Sequence, residues 1–228
     1  MIRLALALCL LALSAPAQAL DVLPAQYRAA AAAGAVGSVT GRVYEERRKP
    51  DGPDQPLAGA AVTLLPRSAQ FLEKLEAAKR TSRNSMNDYR GAAPAIQTLK
   101  AAYEKELWES GAVDLVMGTV VAPDGRFSVE NLPAGDWVLL VTSSVATDKK
   151  VVEPKPGKKE RGVYVPGTRL TGYQRFTVWL REITVSGGHT ESVELIERGA
   201  WFSGVVEERA PDAVLDRDRR PGSKPSPY

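Results

Sequence analysis

The sequence has very few of the residues that enzymes most often use as nucleophiles, bases and metal ligands. Its 228 residues include one cysteine, Cys9, and one histidine, His189. A zinc site of the usual His and Cys type is therefore excluded, and a disulfide cannot form within the chain, so an apolar core must supply the stability. His189 follows Gly187 and Gly188 in a predicted turn, where we expect an exposed turn residue rather than a general base.

Other signatures of catalysis and cofactor binding are also missing. No glycine-rich phosphate loop leads into a helix. The neighbouring acids Glu45–Glu46 and Glu207–Glu208 fall on opposite faces of predicted strands, which directs their side chains apart. Three aspartates in predicted turns lack the spacing of a calcium loop; they are Asp51, Asp54 and Asp124. We therefore expect a protein that is not an enzyme, with no catalytic residue, no cofactor and no bound metal.

The sequence also lacks a strong excess of charge and a hydrophobic run long enough to span a bilayer. Its formal net charge of +3 gives no reason to expect a nucleic-acid partner. The apolar run Leu4–Leu13 is well short of the roughly 20 residues that a transmembrane helix needs. With Arg3 before this run and the small residues of Ala17–Ala19 after it, residues 1–19 are typical of a signal peptide cleaved after Ala19. A retained membrane anchor is the alternative; cleavage would make the protein periplasmic or secreted and remove Cys9.

A clear β pattern is present, and it is most distinct over Ala122–Thr142. Asp124-Gly125 predicts a tight turn, because glycine adopts positive φ without steric cost. Phe127 and Val129 then alternate with polar residues, the period-two pattern of a strand with one buried face. After a break, the apolar run Trp137–Val141 predicts a strand that is buried on both faces and therefore central in its sheet.

Three motifs in this part of the chain carry a family resemblance: Thr40–Val43, Pro56–Leu64, and the stretch above with its Leu-Pro-Ala-Gly at Leu132–Gly135. In this order they resemble the carboxypeptidase regulatory-like domain, a small β-sandwich with transthyretin-like topology. The resemblance implies a mainly β fold, a Greek-key sandwich of about 7–9 strands, and an accessory, non-catalytic role in exported proteins. It does not extend to the purine-catabolic hydrolase of the transthyretin fold, whose further histidines and C-terminal Tyr-Arg-Gly-Ser are missing here.

A segment of different composition, residues 68–110, interrupts the β pattern. It is rich in Ala, Leu, Glu, Lys and Gln, which favour helix, and apolar residues recur at helical spacing over Ser68–Tyr89 and Pro94–Ser110. Gly91 separates the two helical stretches, and Pro94 suits the first turn of the second helix. We therefore expect an antiparallel helical hairpin inserted between two strands. Two interpretations stay open: the apolar stripes pack onto a sheet, or the hairpin forms a lid or docking surface.

The remaining segments complete the expected domain organisation. The N-terminal segment 20–37 contains an alanine tract that favours a short helix, with a frayed leader as the alternative. The sandwich and its insertion should span 38–209, and the tail 210–228 should be disordered. Ser203–Arg209 is similar to Thr40–Arg47, so we expect the last strand to pair near the first.

The connection over residues 143–164 is locally basic. Over residues 149–161, six residues are basic and only Glu153 and Glu160 oppose them; the basic residues are Lys149, Lys150, Lys155, Lys158, Lys159 and Arg161. Prolines and a glycine interrupt this run, which predicts an exposed loop. Either it is simply solvated, or it attracts an anionic partner.

Taken together, these features favour an exported, non-catalytic β-sandwich module for protein interaction or structural support. The alternative is a carbohydrate-binding module that uses exposed aromatic residues. Trp179 is the best candidate for that role because its neighbours on the same strand face are polar, whereas Trp137 belongs to the predicted core. A competing interpretation places Trp179 beneath the helical hairpin. The partner would be a protein or an envelope polysaccharide, and the sequence does not predict the oligomeric state.

Overall fold

The computed structural model describes residues 20–46, 54–147 and 167–211. Within these residues, nine strands form two sheets, and three α-helices and two short 3₁₀ helices accompany them. The strands are β1 Val36–Glu45, β2 Gln55–Pro56, β3 Ala61–Pro66, β4 Met117–Val120, β5 Arg126–Pro133, β6 Gly135–Ala146, β7 Thr168–Val185, β8 Thr190–Ile196 and β9 Phe202–Pro211. The α-helices are α1 Pro24–Ala32, α2 Ala69–Thr81 and α3 Met86–Glu109. This confirms the predicted β-sandwich with an inserted helical hairpin.

The five-stranded sheet lies in the middle of the molecule. Its strand order is β4-β3-β6-β7-β9, so that β6 is central, as the apolar run Trp137–Val141 predicts. All five residues of that run are buried. One face of the sheet packs on the four-stranded sheet, where Trp179 donates its indole N–H to the carbonyl of Ile196 on β8. The hairpin of α2 and α3 covers the sheet on the other side, where the hydroxyl of Tyr103 on α3 donates to the carbonyl of Pro66 on β3.

The four-stranded sheet is organised around β1. Antiparallel β5 pairs with one edge of β1 and parallel β8 with the other, while the two-residue strand β2 pairs with the end of β1. The predicted alternation on β5 is confirmed, since Phe127 and Val129 are buried and Ser128 is exposed. The tight turn before β5 is present too: Gly125 has φ +83°, and Asp124 accepts a hydrogen bond from the backbone N–H of Arg126.

The hairpin turn lies at a different place from the one predicted. Helix α2 ends at Thr81, and α3 starts after Ser85, whose hydroxyl accepts from the backbone N–H of Asp88 at 3.1 Å. This N-cap satisfies a donor that the first helical turn leaves unpaired, so the helix begins there. It then continues through Gly91 and Pro94, which the prediction treats as the break between the helices.

Helix α1 closes one end of the sandwich. The ring of Tyr27 packs edge-on against that of Trp137, with centroids 5.1 Å apart, and its hydroxyl donates to the carbonyl of Asp136. None of the helices that the structure describes is long and apolar enough to cross a membrane.

Two expectations about the chain ends are modified. Strand β1 begins at Val36 and β9 ends at Pro211, so the strands extend slightly beyond 38–209 on both sides. Strand β9 does not lie near β1: it pairs with β7 in the other sheet, and the expectation based on their similar sequences is wrong. The basic connection is not a loop from its start, because β6 continues through residues 143–146. The predicted signal peptide, Asp51, residues 148–164 of the basic connection and the tail beyond 211 lie outside the described residues.

Candidate binding surfaces

Trp179, the sequence candidate for sugar stacking, is not available at the surface. Only 1% of the residue is exposed, and its indole N–H is 2.8 Å from the carbonyl oxygen of Ile196. It is covered by the four-stranded sheet and not by the helical hairpin, so both interpretations of its surroundings are wrong. Strand alternation separates the two faces of β7, but it does not indicate which neighbouring layer covers each face.

The other tryptophans have separate roles. Trp137 lies in the core, as predicted. Trp201 donates its indole N–H to a carboxylate oxygen of Glu76, and the amine of Lys79 lies 4.7 Å from the centroid of the Trp201 ring. These two contacts join α2 to the residue just before β9. Trp108 differs from these three because it is 71% exposed near the end of α3. Tryptophan is one of the residue types that are enriched at protein contact surfaces.

The exposed side of α3 has an unusual composition. Pro94, Ala101 and Trp108 follow one another at intervals of seven residues, with Thr98 and Lys105 between them, and all five are exposed. Residues at these intervals lie along one line of a helix. Every exposed position of α3 between Gly91 and Ala102 is uncharged. This surface, from Gly91 to Trp108, is called the α3 face below.

Helix α2 provides a direct comparison because it belongs to the same hairpin. Its exposed positions are mostly charged, the arrangement expected of a helix that faces water; they include Gln70, Glu73, Lys74, Glu76 and Arg80. The α3 face is therefore not a general property of the helical layer. It is local to one helix of the pair.

The α3 face is held in place by packing on the buried side of α3 and by an ion pair beyond the end of the helix. Phe71 of α2 stacks on Tyr103 of α3 with centroids 4.6 Å apart, and burial raises the pKa of the Tyr103 hydroxyl far above its ordinary value. Beyond the end of α3, Arg28 of α1 makes a two-pronged contact with Asp114, at 2.6 and 3.0 Å. This hydrogen bond with Arg28 holds the pKa of Asp114 below its ordinary value.

A further ion pair fixes the start of α3 to the five-stranded sheet. Arg90 lies 3.9 Å from Glu207 on β9, and Glu207 also pairs with Arg209 at 2.9 Å. The side chains of Glu207 and Arg209 are almost buried, so the charges are little screened by water. Trp108 thus projects from a helix that is anchored near both of its ends.

The residues considered for chemistry remain apart. His189 is exposed in the turn before β8, where its backbone carbonyl accepts from the N–H of Ser38. In the described part of the chain, no group of three or more His, Cys, Asp or Glu side chains comes together in a way that could hold a metal ion. In the sequence, Trp108 lies near the end of the predicted helix Pro94–Ser110, and apart from its position in line with Pro94 and Ala101 nothing else distinguishes it from the other tryptophans. That position was the available signal.

Comparisons with known proteins complete the description. No protein-family model matches the sequence, and no curated protein is similar enough to count as a relative. Among solved structures, the chain is similar to a Pseudomonas aeruginosa protein proposed to bind carbohydrate, with 16% identity, TM-score 0.42, and coverage of 77% of this chain and 97% of that one. It is also similar to the minor pilin GBS52 of Streptococcus agalactiae, with 12% identity, TM-score 0.29, and coverage of 78% and 46%. A third similar structure is the Bacillus anthracis TIE protein, with 13% identity, TM-score 0.28, and coverage of 78% and 26%.

Proposed function

We propose that this protein is an exported, non-catalytic β-sandwich module of the carboxypeptidase regulatory-like kind, and that it binds a protein partner through the α3 face. The observation that carries the proposal is the exposure of Trp108, at 71%, on a helix whose exposed positions from Gly91 to Ala102 are uncharged. Export is supported by the leader pattern of residues 1–19, and the family by the motifs quoted from the sequence.

The composition of the α3 face suits a partner protein better than bulk water. Tryptophan is enriched among the residues that contribute most to protein binding, whereas charged residues are depleted at the centre of interfaces. Small residues such as Ala101 and Ala102 let the backbone of a partner come close to the helix. Trp108 would enter an apolar pocket of that partner.

The packing of the hairpin also favours binding at this surface. Tyr103 and Leu107, on the opposite side of α3, are buried in the core, so the helix does not have to fold when a partner arrives. A preformed surface avoids the entropy cost of ordering a flexible segment. The hairpin is thus a part of the core that also presents a contact surface, which combines the two interpretations left open by the sequence.

The experiment is site-specific photo-crosslinking of the full-length chain in the cells that produce it. A benzophenone amino acid replaces Ala101 on the α3 face, and a matched control places it at Glu73 on the exposed side of α2. We expect one discrete crosslinked product from position 101 and none from position 73. The product should disappear in the Trp108→Ala variant, and mass spectrometry would then identify the partner peptide.

Two results would contradict the proposal. One is the absence of a product from position 101 when the protein is exported and folded. The other is an identical set of products from positions 101 and 73, which would indicate random collisions. Thermal unfolding of each variant serves as the folding control, because exposed substitutions of this kind usually change stability by less than about 0.5 kcal/mol.

A further inference from the structure

The outer face of the four-stranded sheet is open to solvent, unlike both faces of the five-stranded sheet. On β5, Arg126 and Ser128 are exposed and Phe127 between them is buried. On β8, Ser192 and Glu194 are exposed in the same alternating way. This face is on the opposite side of the sandwich from the hairpin, so it is separate from the α3 face. A ligand bound here is therefore independent of the partner proposed for the α3 face.

The strand register aligns the exposed residues in rows across three strands. Thr40 of β1 is the pairing partner of Ser192 on β8 and of Ser128 on β5, which gives a row of three hydroxyl groups. Neighbouring strands in a sheet are about 4.8 Å apart, so these hydroxyls are regularly spaced. One step along the sheet, Ser38 and Thr190 also pair, and their hydroxyls share a hydrogen bond of 2.7 Å.

A second row lies next to the first and carries charge. Arg42 of β1 pairs with Glu194 on β8 and with Arg126 on β5. Beside both rows, Thr119 and Val120 on β4 form part of a wall. The rows and the wall enclose an open groove of about 620 Å³, which is within the size range of ligand sites, about 300–1,000 Å³.

The charges of the groove are balanced within the protein. Arg42 lies 3.8 Å from Asp54 and 4.6 Å from the ring centroid of Tyr44, which fixes its position. Arg126 lies 3.8 Å from Asp124. With Glu194 added, the residues that the structure describes around the groove carry no excess of positive charge for a phosphate or a polyanion. Among the lining residues in the described ranges, Phe127 is the one aromatic residue, and because it is buried these residues offer no ring for stacking.

We propose that this groove binds a neutral polysaccharide chain, laid across β8, β1 and β5 and held by hydrogen bonds. Hydroxyl groups both donate and accept, guanidinium groups donate and carboxylates accept. Rows of such groups complement the many hydroxyls of a sugar chain, which are donors and acceptors as well. The side chains that recognise the ligand are the hydroxyl and charged groups aligned by the register of three strands. Stacking of a sugar ring on a tryptophan is not involved.

The test uses two soluble polymers with the same backbone, neutral hydroxyethylcellulose and anionic carboxymethylcellulose. Affinity electrophoresis of the chain without residues 1–19 measures the retardation by each polymer. The double variant Ser128→Val/Ser192→Val removes two hydroxyls and keeps residues that favour strands. Ser203→Val is the matched control, because Ser203 is an exposed serine on β9 of the other sheet.

We expect hydroxyethylcellulose to retard the unmodified protein. The double variant should lose about tenfold in affinity, because each lost hydrogen bond weakens binding a few-fold. Ser203→Val should bind like the unmodified protein. Amide shifts in an NMR titration should centre on Thr40, Ser128 and Ser192. The proposal is overturned if the neutral polymer does not bind, if only the anionic polymer binds, or if the double variant binds like the unmodified chain. None of these results bears on the α3 face, where Trp108→Ala should leave polymer binding unchanged.

Discussion

The hydroxyl of Tyr103 on α3 lies 2.9 Å from the carbonyl oxygen of Pro66 and donates to it, which joins the helical hairpin to the end of β3. Both residues lie in the interior, and Phe71 of α2 stacks on the Tyr103 ring. The hairpin is therefore structurally part of the sandwich. Deletion of residues 68–110 would expose one side of the five-stranded sheet, so point substitutions are the appropriate probes of its function.

We predict that Tyr103→Phe lowers the free energy of unfolding by about 1–2 kcal/mol, because a buried carbonyl loses its donor while the stacked ring is kept. Urea unfolding followed by circular dichroism measures the change. Tyr89→Phe, half-buried on the same helix, is the control and should have a smaller effect. Equal stability of Tyr103→Phe and the unmodified protein would show that this hydrogen bond contributes nothing.

A second prediction concerns alkaline pH. Burial raises the pKa of Tyr103, and burial is also the main cause that raises the pKa of Tyr27. Above about pH 10 the unfolded chain releases tyrosine protons that the folded chain retains, so the unfolded state binds fewer protons and stability falls as pH rises. Urea midpoints at pH 8, 10 and 11 should show this fall. Tyr103→Phe should make the decline less steep, and an unchanged slope would contradict the assignment.

Trp179 and Trp108 should respond oppositely to substitution, because the first is buried and the second is exposed. Trp179→Ala removes a fully buried indole and should cost about 3–5 kcal/mol of folding free energy. Trp108→Ala should change stability by less than about 0.5 kcal/mol, because its side chain is in water. Thermal and urea unfolding of both variants distinguish them. A stable Trp179→Ala protein would mean that this indole is not packed between the sheets.

Gly41 on β1 should not tolerate a larger residue. A Cβ atom there would lie 2.7 Å from the carbonyl oxygen of Val193 and closer still to the ring of Phe127, so Gly41→Ala should destabilise by about 1–3 kcal/mol. Gly118→Ala on β4 is the matched control, since its Cβ would be 3.5 Å from the carbonyl oxygen of Val62, an ordinary contact. Urea midpoints measure both. If the two variants lose equal stability, the close approach at Gly41 is not responsible.

Local patterns were sufficient to predict much of the fold. The alternation of Phe127 and Val129, the apolar run Trp137–Val141 and the composition of residues 68–110 indicate their structures directly, because each depends on neighbours in the chain. The hairpin turn was misplaced because Gly91 and Pro94 are common helix breakers, whereas the N-cap of Ser85 with Asp88 is the stronger physical signal. A single glycine or proline within a well-anchored helix can be tolerated.

Relationships between distant segments could not be predicted in the same way. The sequence separates the two faces of β7, but it does not show that the four-stranded sheet covers Trp179. The row of Ser192, Thr40 and Ser128 depends on the register of three strands that are far apart in the sequence. Similarity between β1 and β9 was misleading for the same reason, since pairing depends on packing and not on resemblance.

The parallel pairing of β1 with β8 has a consequence for folding. Ser38 and Thr190, which are hydrogen-bonded partners, are 152 positions apart in the chain. One edge of the first long strand therefore stays unpaired until nearly all of the polypeptide has been made, and topologies dominated by such distant contacts form slowly. Closure of the four-stranded sheet must therefore follow synthesis of the seven strands that precede β8, because parallel pairing with β8 is what completes the second edge of β1.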